Sequence, residues 1–163
     1  MTGTAASERT ARDGLVVRPV DRSDYPQWLV LWDGYNRFYE RSGPTALPAE
    51  VTSATWARLF DPIEPVHGLV AESGSELVGM VHYLYHRSTT AIELSCYLQD
   101  LFTRRDLRGR GIGRALIEAV YAQARLASSP RVYWHTHETN HAAMQLYDDV
   151  AERTGFLMYR KLV

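Results

Sequence analysis

The stretch Arg108-Gly109-Arg110-Gly111-Ile112-Gly113-Arg114 decides how this chain is read. It follows an apolar run with strand character, Leu98-Gln99-Asp100-Leu101-Phe102-Thr103, and opens an amphipathic segment that predicts a helix over residues 111 to 127. Glycines at a strand-to-helix turn let the backbone come close to a ligand, and the free N–H groups of a helix start favour an anion. Five arginines between positions 104 and 114 point to a polyanion, most simply a phosphate or pyrophosphate. Two better-known phosphate loops do not fit. A P-loop needs Lys and Ser/Thr directly after its last glycine, where this chain has Arg114 and Ala115. A dinucleotide fingerprint needs G-x-G-x-x-G and an acidic residue about 20 positions further on. Here the glycines fall at 109, 111 and 113, and residues 131 to 137 hold no carboxylate.

Outward from the loop the chain punctuates itself clearly. Residues 15 to 20 predict a first strand, and Asp21 to Asp24 with Pro26 predict a helix start. Trp28, Trp32, Tyr35 and Tyr39 then recur at helical spacing beside Leu31 and Phe38, until Ser42-Gly43-Pro44 stops the helix. A second helix is expected over residues 48 to 60. A hairpin follows, with strands at 68 to 72 and 77 to 85 around Ser73-Gly74-Ser75, then a long strand at 92 to 103. The helix after the glycine loop carries Ile112, Ala115, Leu116, Ala119, Val120 and Leu126 on one stripe and ends at Ser128-Ser129-Pro130. Residues 131 to 136 read as a strand completing a right-handed βαβ unit. Asn140 caps a last helix bearing Ala143, Leu146, Tyr147 and Val150, Gly155 closes it, and residues 156 to 162 read as a final strand. Several strands are apolar on both faces, as in a sheet covered by helices on each side. Residues 1 to 13 read as a disordered tail, leaving residues 14 to 163 as one domain of ordinary size.

What remains of the loop is Arg108-x-x-Gly111-x-Gly113, the Q/R-x-x-G-x-G/A pattern set between a strand and a helix. With it the chain resembles the GNAT superfamily of acyl-CoA N-acyltransferases, whose loop of this form cradles the coenzyme A pyrophosphate. A second stretch is more specific. Val132-Tyr133-Trp134-His135-Thr136-His137-Glu138-Thr139-Asn140 resembles the V-Y-W-x-T-x-E-x-N segment of the small subgroup of histone, polyamine and D-amino-acid N-acetyltransferases. Tyr97-Leu98-Gln99-Asp100-Leu101-Phe102 is similar to the matching strand of the same subgroup. The order of elements agrees with the GNAT layout from about residue 15 to residue 162.

The resemblance implies an α/β (α+β) GNAT fold: a central mixed, mostly antiparallel sheet, helices on both faces, and a splayed strand pair forming the acyl-CoA slot. It implies acetyl-CoA as co-substrate and direct transfer of the acetyl group to a primary amine of a small molecule or peptide, with no metal. By the same resemblance Leu101 and Phe102 supply main-chain contacts to the coenzyme, with Thr103, Arg108, Gly109, Arg110, Gly111, Ile112, Gly113, Arg114 and Asn140 completing its site. Tyr147 matches the tyrosine of the family's Asn…Leu-Tyr motif and would act as acid toward the leaving thiolate, beside its plainer reading as part of an apolar helix stripe. The base is open. Where some members carry a carboxylate this chain has Gln99, leaving Asp100, Glu93, His135 or a water relay. Asp100 could equally bind a cationic acceptor or satisfy a backbone donor. Tyr35 and Tyr39 could line an acceptor pocket with a cation over their rings, whereas Trp28 and Trp32 read as core.

Composition narrows the alternatives. A formal net charge of −1 with the arginines clustered locally argues against a nucleic-acid binder, and no apolar run is long enough for a membrane span. Residues 1 to 13 lack the apolar centre of a signal peptide, and the single Cys96 fits a reducing, cytoplasmic setting. Cys96 has no evident partner, so no covalent enzyme intermediate is expected. His135, His137 and His141 lack a Cys or carboxylate set at ligand spacing. Two other readings stay open: an aminoglycoside-type antibiotic acetyltransferase, and a coenzyme A-binding interaction module without catalysis. The strand expected at 156 to 162 is a candidate edge for pairing two copies as a homodimer.

Overall fold

The computed structural model describes residues 14 to 163, so the tail expected at 1 to 13 lies outside the described residues. Five strands form one sheet in chain order: β1 (Leu15–Pro19), β2 (Val66–Ser73), β3 (Glu76–His86), β4 (Ser95–Thr103) and β5 (Val132–Tyr133). Pairing is antiparallel from β1 to β4 and parallel between β4 and β5. Four helices accompany it, α1 (Tyr25–Phe38), α2 (Ala49–Arg58), α3 (Ile112–Leu126) and α4 (His141–Val150). α3 carries the chain from β4 to β5, which is why those two strands run parallel.

The sheet is apolar on both faces because helices cover both. Under α3, Ile112, Leu116, Ile117 and Val120 pack on Leu69, Val81, Cys96 and Leu98, with Leu146, Tyr147 and Val150 of α4 at the margin. On the opposite face Trp28, Leu31, Trp32 and Tyr35 of α1 pack on Val70, Leu77, Met80 and Phe102. Burial of each such large side chain contributes roughly 2–3 kcal/mol.

One irregularity in the sheet sets the position of a buried carboxylate. Opposite β3, His82 pairs with Asp100 but Tyr83 pairs with Leu98, so Gln99 is an extra residue in β4. A bulge shifts the alternation by one. Cys96 and Leu98 face α3, while beyond the bulge Phe102 packs under α1. An unbulged strand would turn residue 100 toward α3 along with residues 96 and 98. Gln99 therefore delivers Asp100 to the α1 side.

Three expectations are corrected. β4 begins at Ser95 because its partner β3 ends at His86, opposite Ser95, and nothing pairs with residues 92 to 94. β5 is two residues long, far shorter than 131 to 136. The strand expected at 156 to 162 does not form, and Phe156, Leu157, Met158, Tyr159 and Leu162 lie exposed. A strand forms only where a neighbour takes up its backbone N–H and C=O groups. No strand pairs with the far side of β5 among the described residues.

Candidate active site

The parallel pairing of β4 with β5 consists of Cys96 with Val132 and Tyr97 with Tyr133, and stops there, just before the Gln99 bulge. β4 runs on to Thr103 while the facing chain leaves the sheet through residues 134 to 140. The two strands thus part into the slot expected of a splayed pair. The Arg104 N–H donates to the Val78 carbonyl. Alternation along that ladder makes Phe102 and Met80 a hydrogen-bonded pair, so the N–H groups of Leu101 and Thr103 point away from β3 and into the slot. Phe102 turns its amide toward β3, and its side chain is buried under α1.

At the end of the slot lies the glycine loop. Gly109 and Gly111 have φ of +78° and +82°, a conformation that side-chain-bearing residues rarely adopt. Gly111 is the N-cap of α3 and no side chain caps the helix, leaving its first N–H groups without a side-chain partner. Gly113 sits where an added Cβ would lie 3.3 Å from Leu146 and 3.8 Å from the Thr103 hydroxyl, so α3 starts in touch with both α4 and β4. The Ile112 side chain is core. Arg108 lies over the Phe38 and Phe102 rings, Arg114 pairs with Asp149 at 2.9 Å, and Arg110 is exposed.

On the α1 side of the slot an aromatic row, Trp28, Trp32, Tyr35 and Tyr39, stacks along the helix with centroids 5.0–5.6 Å apart. Asp100 is buried beneath it, its Oδ2 2.9 Å from His82 Nδ1. Burial first, then the charge and hydrogen bonding of Asp100, push the Tyr35 phenol far above its ordinary pKa. Burial and then Asp100 also raise Tyr39, while Arg41 lowers both phenols. Arg41 donates to the Asn36 side chain at 3.1 Å, and its guanidinium lies over the Tyr39 and Tyr35 rings at 5.4 and 5.9 Å. An anion and a cation thus flank one pair of phenols.

Tyr147 reaches the same region from α4. Its ring meets Trp134 at 5.3 Å, and burial, with Tyr39 second, pushes its phenol up to about 12. Asn140 is the N-cap of α4, yet its side chain does not cap; the amide Nδ2 donates to Thr136 at 3.1 Å instead. His135 is exposed on the rim, 3.2 Å from the Tyr97 hydroxyl. Glu93 is exposed in the bend before β4, seven positions from Asp100.

A model of the acetyltransferase (GNAT) family matches residues 28 to 151. D-amino-acid N-acetyltransferase HPA3 of Saccharomyces cerevisiae is 36% identical over 157 residues, 94% of this chain and 94% of that one. The chain belongs to the GNAT acetyltransferase family. Thialysine N-epsilon-acetyltransferase of Caenorhabditis elegans is 32% identical over 85 residues, 52% of either chain. Among solved structures, aminoglycoside N-acetyltransferase AAC(6')-Iy in complex with CoA shares the fold, with a TM-score of 0.76 at 13% identity over 91% of this chain and 94% of that one. As a GNAT enzyme this protein is an acetyl-CoA-dependent N-acetyltransferase that moves the acetyl group to an amine.

Three residues around the slot of this GNAT fold escape a reading of the sequence. His82 is a lone polar side chain inside the apolar run from Val78 to Tyr85, and that isolation is its only signal. Tyr97 sets its hydroxyl against His135, and Arg41 follows the end of α1 in what looks like a plain loop. Cys96 is fully buried, and burial pushes its thiol up to about 11, so it offers no thiolate.

Proposed function

We propose that this GNAT enzyme acetylates the amino group of a small acceptor carrying a carboxylate, an amino acid in chemical class. The flanking of Tyr35 and Tyr39 by Asp100 and Arg41 carries this reading. Asp100 takes the acceptor's ammonium and Arg41 its carboxylate, a pairing a polyamine could use only in half. The name of the yeast relative, a D-amino-acid N-acetyltransferase, supports the same class. The coenzyme pyrophosphate lies on the glycine loop from Arg108 to Arg114, and the pantetheine arm runs in the slot beside Asn140.

In the reaction the Leu101 and Thr103 N–H groups polarise the thioester carbonyl. The ammonium loses its first proton through Asp100 to water, and the neutral nitrogen attacks the carbonyl carbon. As the C–S bond breaks, the nitrogen's second proton passes by way of water to the departing thiolate, to which Tyr147 donates a hydrogen bond, leaving the amide and the free thiol. His135 and Tyr97 line the rim on the acceptor side. The protein acts in the cytoplasm, and two copies pair through the apolar residues exposed at 156 to 162. A single monomeric species in sedimentation at every concentration would remove that pairing.

Thiol release from acetyl-CoA over a panel of D- and L-amino acids, polyamines, lysine peptides and aminoglycosides tests the acceptor class. Amino acids should react fastest. Arg41→Gln should raise their KM about tenfold or more, the worth of one charge-assisted hydrogen bond, and leave polyamines unaffected. A preference for polyamines or aminoglycosides, indifferent to Arg41→Gln, refutes the carboxylate reading.

A further inference from the structure

We propose that Trp28 and His82 form a fixed-tautomer strut that positions Asp100, with His82 carrying its ring proton on Nδ1 and donating it to the carboxylate. An indole N–H can only donate. The Trp28 Nε1 lies 3.0 Å from His82 Nε2, so that ring nitrogen must present its lone pair. The ring proton then resides on Nδ1, 2.9 Å from Asp100 Oδ2. The chain of donors runs one way, from indole to imidazole to carboxylate.

Burial gives this chain its force. Trp28 is 0% exposed, His82 2% and Asp100 8%, so each polar atom would be costly without its partner. Among the described residues no buried side-chain polar atom lacks one. The three come from α1, β3 and β4, and the Gln99 bulge that turns Asp100 to the α1 face also sets it opposite His82. With Oδ2 held by the imidazole, the carboxylate is fixed at one of its oxygens. His82 and Trp28 touch no reacting atom, so they are positioning residues. Their part in catalysis rests on the reading that Asp100 meets the acceptor amine.

Two measurements test the strut. In the full chain labelled with 15N-histidine, His82 should show a protonated Nδ1 and an unprotonated Nε2. Trp28→Phe removes the donor that Nε2 accepts from, so a proton should become detectable on Nε2 while Nδ1, still facing Asp100, keeps its own. In the unsubstituted chain a proton found on Nε2, or on both nitrogens, overturns the strut whatever the activity. The second measurement is kinetic. His82→Leu should lower kcat about thirtyfold, the loss of a hydrogen bond to a charged group, with KM for acetyl-CoA unchanged. His82→Asn, whose side-chain N–H can take the place of Nδ1–H, should recover most of that loss. Leu and Asn variants equally impaired, or equally active, would reduce His82 to core filling. If Asp100→Asn proves fully active while the His82 tautomer is as stated, the role of Asp100 has failed and the strut geometry has not.

Discussion

Replacing Tyr147 by phenylalanine should lower kcat about a hundredfold while leaving the Kd for acetyl-CoA within about twofold. The variant keeps the ring that packs on Trp134 and against α3, and removes only the hydroxyl. A phenol at about 12 holds its proton throughout the working range, so no alkaline limb from Tyr147 is expected below that value. Comparison with a thiol of pKa about 8.5 limits what this group can do. Complete proton transfer from the phenol to the thiolate is uphill by about 3.5 pKa units, roughly 5 kcal/mol. In the proposed reaction Tyr147 therefore serves as a hydrogen-bond donor to sulfur as its charge develops, an effect made in the transition state and absent from coenzyme binding. Wild-type turnover in the phenylalanine variant would end this assignment.

Gly111→Val supplies the opposite pattern and so a control. At φ +82° a β-branched residue is strained by about 1–3 kcal/mol, and its side chain would stand on the loop proposed for the pyrophosphate. KM for acetyl-CoA should rise at least tenfold with kcat less affected, a change in binding that the tyrosine variant should not show. Unchanged coenzyme affinity in Gly111→Val would detach the loop from the pyrophosphate.

The range of each interaction decides how much of the fold and site was legible in the sequence. The glycine loop, the stripe of α3 and the aromatic row of α1 are local patterns, set by residues three to seven positions apart, and they stand in the structure as read except at the end of the stripe, where Leu126 lies exposed in the last turn of α3. Gly109 and Gly111 are needed for a backbone conformation that their own spacing announces. The site at Asp100 is not local. Its orientation depends on a bulge at Gln99, which exists only because β3 and β4 pair in a particular register, and register is a property of two strands. His82 meets Asp100 across 18 positions of chain and Trp28 meets His82 across 54, beyond what any periodicity encodes. Residues 156 to 162 show the converse. They read as a strand, yet a strand is made by its neighbour, and none lies beside them within the described chain.

Asp100→Asn should cost about a hundredfold to a thousandfold in kcat/KM for the amine at neutral pH. The substitution is close to isosteric, and the His82 Nδ1–H still finds an oxygen to donate to, so folding should survive. What disappears is the negative charge proposed to hold the ammonium and relay its proton to water. An amine of pKa about 10 is neutral in only about one molecule in a thousand at pH 7, a cost of roughly 4 kcal/mol that the variant meets by capturing the rare neutral amine, whereas the wild type draws in the ammonium and passes its proton on. Raising the pH lifts that cost without the carboxylate. The gap between variant and wild type should therefore narrow as pH approaches the acceptor's own pKa, and kcat/KM of the variant should climb tenfold per pH unit on the way. A loss of the same size at every pH would leave Asp100 as an anchor for the ammonium with no part in proton removal. A variant as active as the wild type at neutral pH would remove Asp100 from the site, and the proton would then have to leave through His135 or solvent at the rim.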